Sequence, residues 1–257
     1  MSRTWRERLV ARAPAWLAEK VPREHTESDE AFHRRRRVVA VTSLAGAGLL
    51  GASLRSTPDS TRFYGLTAAT AATWVVGGLA SGPLHLGRTR YRDTLRRPVV
   101  TPALVGVGAF GVFYGCALVC RHVPFLDRAI SRVLRYADRG STAPVLATTL
   151  LNGAAEEVFF RGALYAAAGR DRPVVASTAV YVLATTATRN PSLVLASGVM
   201  GVLFGLQRRA TGGIQAPLIT HLTWSVLMLR FLPPLFRRPA EPAVSPPPPG
   251  AAPRRTT

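Results

Sequence analysis

Acidic residues are scarce in this chain: 14 Asp and Glu stand against 33 Lys and Arg in 257 residues, a formal net charge of +19. Lysine is nearly missing, with Lys20 its single instance, so the positive charge is almost all arginine. Such an excess in a polar chain would read as a disordered polycation, but 47% of these residues are apolar, which excludes it. Cysteine is limited to Cys116 and Cys120, one helical turn apart in an apolar stretch. Thiols there are small packing residues, and that spacing is a poor metal or disulfide signal. Neither cysteine is given any chemistry.

What the chain does have is long stretches of Ala, Val, Leu and Gly separated by clusters of arginine. A bilayer core of roughly 30 Å needs about 20 mostly apolar residues per helix, and the pattern recurs along the sequence. An all-α, polytopic helical membrane protein with about seven transmembrane helices is the expected fold. The clusters sit at span ends, as the positive-inside rule requires, so the partner they indicate is the lipid bilayer and no nucleic acid.

Residues 1–37 mix both charges with Trp5, Leu9, Trp16 and Leu17 at helix-like spacing, which predicts an interfacial amphipathic helix. The run Arg34–Arg37 then precedes the apolar stretch Val38–Leu54, a retained anchor with a cytoplasmic N-terminus. N-terminal transmembrane helices are expected over 38–122, at Val38–Leu54, Phe63–Leu86 and Val99–Cys120. The loop from Arg88 to Arg97 faces the cytoplasm on this reading, and Gly111 and Gly115 form a small-xxx-small packing pattern in the third span. Residues 123–141 oppose Phe125, Ile130, Val133 and Leu134 to Arg128, Arg132, Arg135 and Arg139, which suits an interfacial helix. Four further apolar stretches follow in 142–236: Thr142–Ala168, Pro173–Thr188, Pro191–Leu206 and Gly213–Phe236. The Pro-rich residues 237–257 lack apolar periodicity and read as a disordered tail.

The chemistry concentrates at Glu156, Glu157 and Arg161, in the middle of an otherwise apolar helix. At a span centre each charge costs roughly 2.5–3.5 kcal/mol on insertion scales, so these side chains must line an enclosed or water-filled cavity. Glu157 and Arg161 are spaced i, i+4, acid first, the favourable order for an ion pair. Glu156 points about 100° away and is left to polarise a water. The alternative is a structural salt bridge between helices. His221, with Ser225 one turn later, is the second feature: a helix-helix hydrogen-bonding pair, or donors to the oxyanion formed when activated water attacks an amide.

The run Glu156-Glu157-Val158-Phe159-Phe160-Arg161-Gly162, followed by Thr211-Gly212-Gly213-Ile214-Gln215-Ala216-Pro217 and His221, resembles the CPBP family. This family holds the membrane-embedded CAAX-type proteases and bacteriocin-processing (abortive-infection) proteins. The likeness covers about Thr142–Leu235. It implies an intramembrane endopeptidase, multi-pass in a bacterial plasma membrane, acting on a peptide or protein substrate. In its terms Glu156, with the histidine of an FxxxH motif, activates the attacking water; the HxxxN motif, here His221 and Ser225, holds the oxyanion; Glu157 and Arg161 order the site. Two positions depart from the pattern. FxxxH falls on Tyr181 to Thr185, with Thr185 replacing the histidine, and Ser225 replaces the asparagine of HxxxN.

A threonine hydroxyl holds water but does not share a proton as imidazole does near neutral pH. A zinc centre, if present, would draw on Glu156, Glu157 and His221, which is short of a usual ligand set once Thr185 stands in the second motif. No cofactor is therefore expected, and zinc is disfavoured. The alternative to a working protease is a pseudoprotease that keeps the fold as a membrane binding or immunity scaffold. A transporter with a glutamate relay would need paired broken helices or an inverted repeat, and neither is visible.

Overall fold

The computed structural model describes residues 27–91, 94–139, 142–169 and 172–236. The surface helix expected around Trp5 to Leu17 and the tail 237–257 lie outside the described residues. Helix α1 (Asp29–Ser53) starts where Ser28 Oγ accepts the Ala31 N–H at 3.3 Å, and Asp29 and Glu30 complement the helix dipole in its first turn. Helix α2 (Thr61–Ala80) is capped in the same way by Ser60. The arginine-rich connection after it holds a short antiparallel hairpin, β1 (Thr89–Tyr91) and β2 (Thr94–Arg96), with Thr89 opposite Arg96. Sequence periodicity over three-residue strands is too brief to announce such a hairpin.

Helices α3 (Val100–Cys120), α4 (Pro124–Arg139) and α5 (Thr142–Glu156) follow. The chain then widens into a π-helical stretch, Glu157–Leu164, before a last α-helical turn, α6 (Tyr165–Ala167). Helices α7 (Pro173–Thr186) and α8 (Pro191–Thr211) both begin with proline at a position where its missing N–H costs nothing. Asn190 caps α8 by accepting from the N–H groups of Ser192 and Leu193. Helix α9 (Gln215–Phe231) and a single turn, α10 (Pro233–Phe236), close the described chain.

The protein is nearly all-α. Among the described residues three helices are long and apolar enough to cross a membrane: α2, α3 and α8. About seven were expected. The difference has local causes. Helix α7 has 14 residues and rises only about 21 Å, α9 has 17, and α5 with its π-helical continuation carries Glu156, Glu157 and Arg161. The surface is apolar in the manner of a membrane protein: Leu44, Val76, Val100, Leu104, Val119, Leu183 and Leu195 are all more than 60% exposed. The interior instead holds Arg35, Glu157, Arg161, Gln207, Thr220 and His221.

Helix α5 and its π-helical continuation pack on α2 and α9, while α7 lies against α8, α3 against α9 and α1 against α2. Trp74, Phe159 and Phe160 fill the centre, with the Trp74 and Phe159 rings stacked at 4.7 Å. The close approach on α3 occurs at Gly106, against Thr220 and Thr223 of α9. Gly111 and Gly115 face open space, so the packing role expected of that pair is a correction. They sit on the outward side of α3, where a small residue meets no neighbouring helix.

Helix α4 is amphipathic, burying Ala129 and Leu134 and exposing Arg128, Arg132 and Arg135. It is tied down at two points. The Tyr136 hydroxyl donates to the carbonyls of Leu54 and Ser56, and Asn190 Nδ2 donates to the carbonyl of Ala129 at 2.8 Å. On the other side of the bundle a backbone strap joins residues 85–88 to residues 211–215. Arg88 N–H donates to Thr211 O, Ile214 N–H to His85 O and Gln215 N–H to Leu86 O, all within 2.9 Å. A Cβ at Gly213 would overlap Leu86 and Gly87, which explains a glycine there, and Gly212 ends α8 at φ +72°.

Candidate active site

Glu156 ends α5 and Glu157 opens the π-helical stretch, so adjacent carboxylates leave the helix in different directions. π-Helical turns are rare and concentrate at functional sites. Glu157 turns inward and is fully buried. Its Oε1 accepts from Arg161 Nη1 at 3.1 Å and lies 2.9 Å from His221 Nδ1 on α9, while Oε2 has no hydrogen-bond partner among the described residues. Arg161 lies between the Tyr181 and Phe204 rings, 4.6 and 4.9 Å from their centroids, which compensates a cation withdrawn from water. The His221 and Phe204 rings stack at 4.9 Å centroid distance, so one phenylalanine contacts both polar partners of Glu157.

Glu156 turns toward a cavity of about 280 Å³ whose wall also includes Tyr181, Thr185, His221 and Ser225. Helix α4 contributes Val133 to that wall, so the amphipathic helix borders the same space. Every residue nominated from the sequence except Glu157 and Arg161 thus borders one cavity, and those two stand behind it, holding His221. Gly153 leaves room beside the imidazole: a Cβ there would meet His221 Nε2 at 3.5 Å. With Nδ1 facing Glu157, Nε2 is the nitrogen left for other chemistry.

Thr185 differs from its expected part. Its hydroxyl donates to the carbonyl of Tyr181 at 2.8 Å, so its proton is committed within the helix and it can only accept from a water. The nearest neighbour of Glu156 is instead Tyr181, whose phenol donates to Oε2 at 2.7 Å. Sequence reading passed over this tyrosine, although it occupies the first position of the FxxxH-like segment. It also passed over Asn152, one turn before Glu156 in the cavity wall, which donates to the carbonyls of Thr67 and Thr148. A polar residue four positions before a catalytic candidate on an apolar helix was the available signal.

The donor set does not fit a zinc ion. Of Glu156, Glu157 and His221, the latter two direct their facing atoms at each other, and a guanidinium sits on the same carboxylate oxygen. Among the described residues no group of three or more His, Cys, Asp and Glu side chains is arranged to hold a metal.

Helices apolar enough to cross a membrane surround a buried glutamate, arginine and histidine cluster behind a cavity. Residues 138–227 match the family model described as type II CAAX prenyl endopeptidase Rce1-like. That match supports the CPBP assignment and, in general terms, a CAAX-type intramembrane protease. No curated protein and no solved structure matches the chain.

Proposed function

We propose that the protein is an intramembrane endopeptidase that hydrolyses a peptide bond with water activated by Glu156. The observation that carries this reading is the single cavity bordered by Glu156, His221 and Ser225. Glu156 takes a proton from water, the water oxygen bonds to the amide carbon, and the carbonyl electron pair moves onto oxygen. The Ser225 hydroxyl donates to that oxyanion, and His221 does so through Nε2–H in its doubly protonated form, because Nδ1–H is already given to Glu157. The proton then passes from Glu156 to the departing amine nitrogen as the C–N bond breaks. Glu157 and Arg161 fix the imidazole by holding its Nδ1 side. The step as written needs no metal. The chain is multi-pass in the plasma membrane, with a cytoplasmic N-terminus set by the Arg34–Arg37 cluster.

The pseudoprotease reading is favoured by one observation, the Thr185 proton spent on a backbone carbonyl. Purified, detergent-solubilised protein assayed with a fluorogenic peptide library separates the two. Turnover is expected to fall at least 100-fold in Glu156→Gln and to be indifferent to chelator. Wild-type protein without turnover, or turnover untouched by Glu156→Gln, overturns the protease reading in favour of a binding scaffold.

A further inference from the structure

We infer that Tyr181, at the first place of the second motif, is the positioning residue for Glu156; this rests on the protease reading above. The phenol donates to Glu156 Oε2 at 2.7 Å. A phenylalanine at 181 would pack equally well and donate nothing. Here the ring is held on two sides, by the Arg161 guanidinium at 4.6 Å and by the Phe160 ring at 4.6 Å, so the hydroxyl is presented from a fixed direction. Its own backbone carbonyl takes the Thr185 proton, which removes the residue at the histidine position as a donor to Glu156.

Two consequences follow from this arrangement. With Oε2 engaged by the phenol, Oε1 is the oxygen that receives the proton of the attacking water, so the carboxylate has one working edge. The phenol keeps its own proton throughout, since a group with an ordinary pKa near 10 is a donor and not a base at neutral pH. Tyr181 also joins the two halves of the site. Its ring touches the arginine that pairs with Glu157, and its hydroxyl touches Glu156. One side chain thus contacts the first carboxylate directly and the second through its arginine partner.

The test compares full-length wild type, Tyr181→Phe and Tyr181→Phe/Thr185→His in detergent, reading kcat, KM, the thermal midpoint and the infrared carboxylate band of Glu156, assigned as the band lost in Glu156→Gln. Tyr181→Phe is expected to lower kcat about 10- to 100-fold, as misplacement of a reacting group by about an ångström does. KM should stay within about twofold, since the ring packing is retained, and the Glu156 band should shift. Restoring a histidine at 185 in that background should recover at least about fivefold in kcat by giving the carboxylate a second partner again. Unchanged kcat, or a fall in kcat matched by a fall in thermal midpoint with the infrared band unmoved, overturns the positioning role. Absence of turnover in the wild type overturns the protease reading itself. The infrared comparison then still decides the Tyr181 contact, because an unmoved band in Tyr181→Phe removes it.

Discussion

Among the described residues two arginines are buried to 1% exposure, and they are satisfied in opposite ways. Arg35, on α1, grips Glu27 with Nε and Nη2 at 2.8–3.1 Å and turns Nη1 to Ser81 at the end of α2. Its carboxylate partner keeps 19% exposure, so water completes the shell. Arg161 makes one contact to a carboxylate that is wholly buried, shares that oxygen with His221, and leaves the other oxygen without a partner. A bidentate pair is the geometry that maximises strength and fixes an orientation. The centre accepts the weaker arrangement, at a cost of about 1–3 kcal/mol for an unsatisfied buried acceptor. The first arginine fastens the lead-in to α1 and, through Ser81, the end of α2; the second spends stability to hold an imidazole next to a cavity.

The largest effect that would break this contrast is expected from Glu157→Leu. It strands the Arg161 cation in the interior, and removing one partner of a buried pair costs about 3–5 kcal/mol. Thermal unfolding in detergent should show it, and a loss no greater than that at Arg35 would erase the distinction. Arg35→Met comes next, at about 1–2 kcal/mol, because the Glu27 carboxylate left behind can reach water. Turnover per folded molecule should be unchanged in that variant, which sharpens the contrast between a fastening and a working pair.

The smallest effect is expected at the tie between α4 and the end of α1. Tyr136→Phe removes the one phenol proton shared between the Leu54 and Ser56 carbonyls and should cost about 1 kcal/mol. Burial pushes the Tyr136 phenol up from its ordinary value, with Arg135 partly opposing it. A raised pKa means that this contribution is fully present below the unfolded value of about 10 and is lost as pH rises through the folded one. Thermal midpoints of wild type and Tyr136→Phe should therefore converge at high alkalinity, and a difference that persists there would assign the stabilisation to packing of the ring.

The sequence made some of this arrangement readable and hid the rest for identifiable reasons. The pairing of Glu157 with Arg161 follows from spacing within one helix, and the amphipathic character of α4 follows from the alternation of arginines with Ile130, Val133 and Leu134. Proline and asparagine at 190–191 likewise announce the start of α8. The contact between Tyr181 and Glu156 spans 25 residues and that between His221 and Glu157 spans 64, so both depend on how helices meet, which periodicity does not encode. The π-helical stretch was equally hidden, since one extra residue per turn leaves the hydrophobic pattern over eight residues nearly unchanged. The count of about seven spans rests on apolar composition, which does not fix crossing length, and the stretches Pro173–Thr188 and Pro191–Leu206 read as short for full spans already in the sequence. Helix α7 shows that a 14-residue helix can be apolar and fall short.

The strap between residues 85–88 and 211–215 bears on how the chain is made. It joins strands of backbone separated by nearly half the sequence, and such a closure carries an entropy cost that only late contacts repay. During synthesis the earlier partner emerges long before the later one, so the segment that abuts Gly213 waits with its carbonyls and amides unpaired while α3 to α8 are produced. Pairing of residues 85–88 with the segment that leads to His221 therefore becomes available only after α8 has been made, and the site is complete no earlier than that.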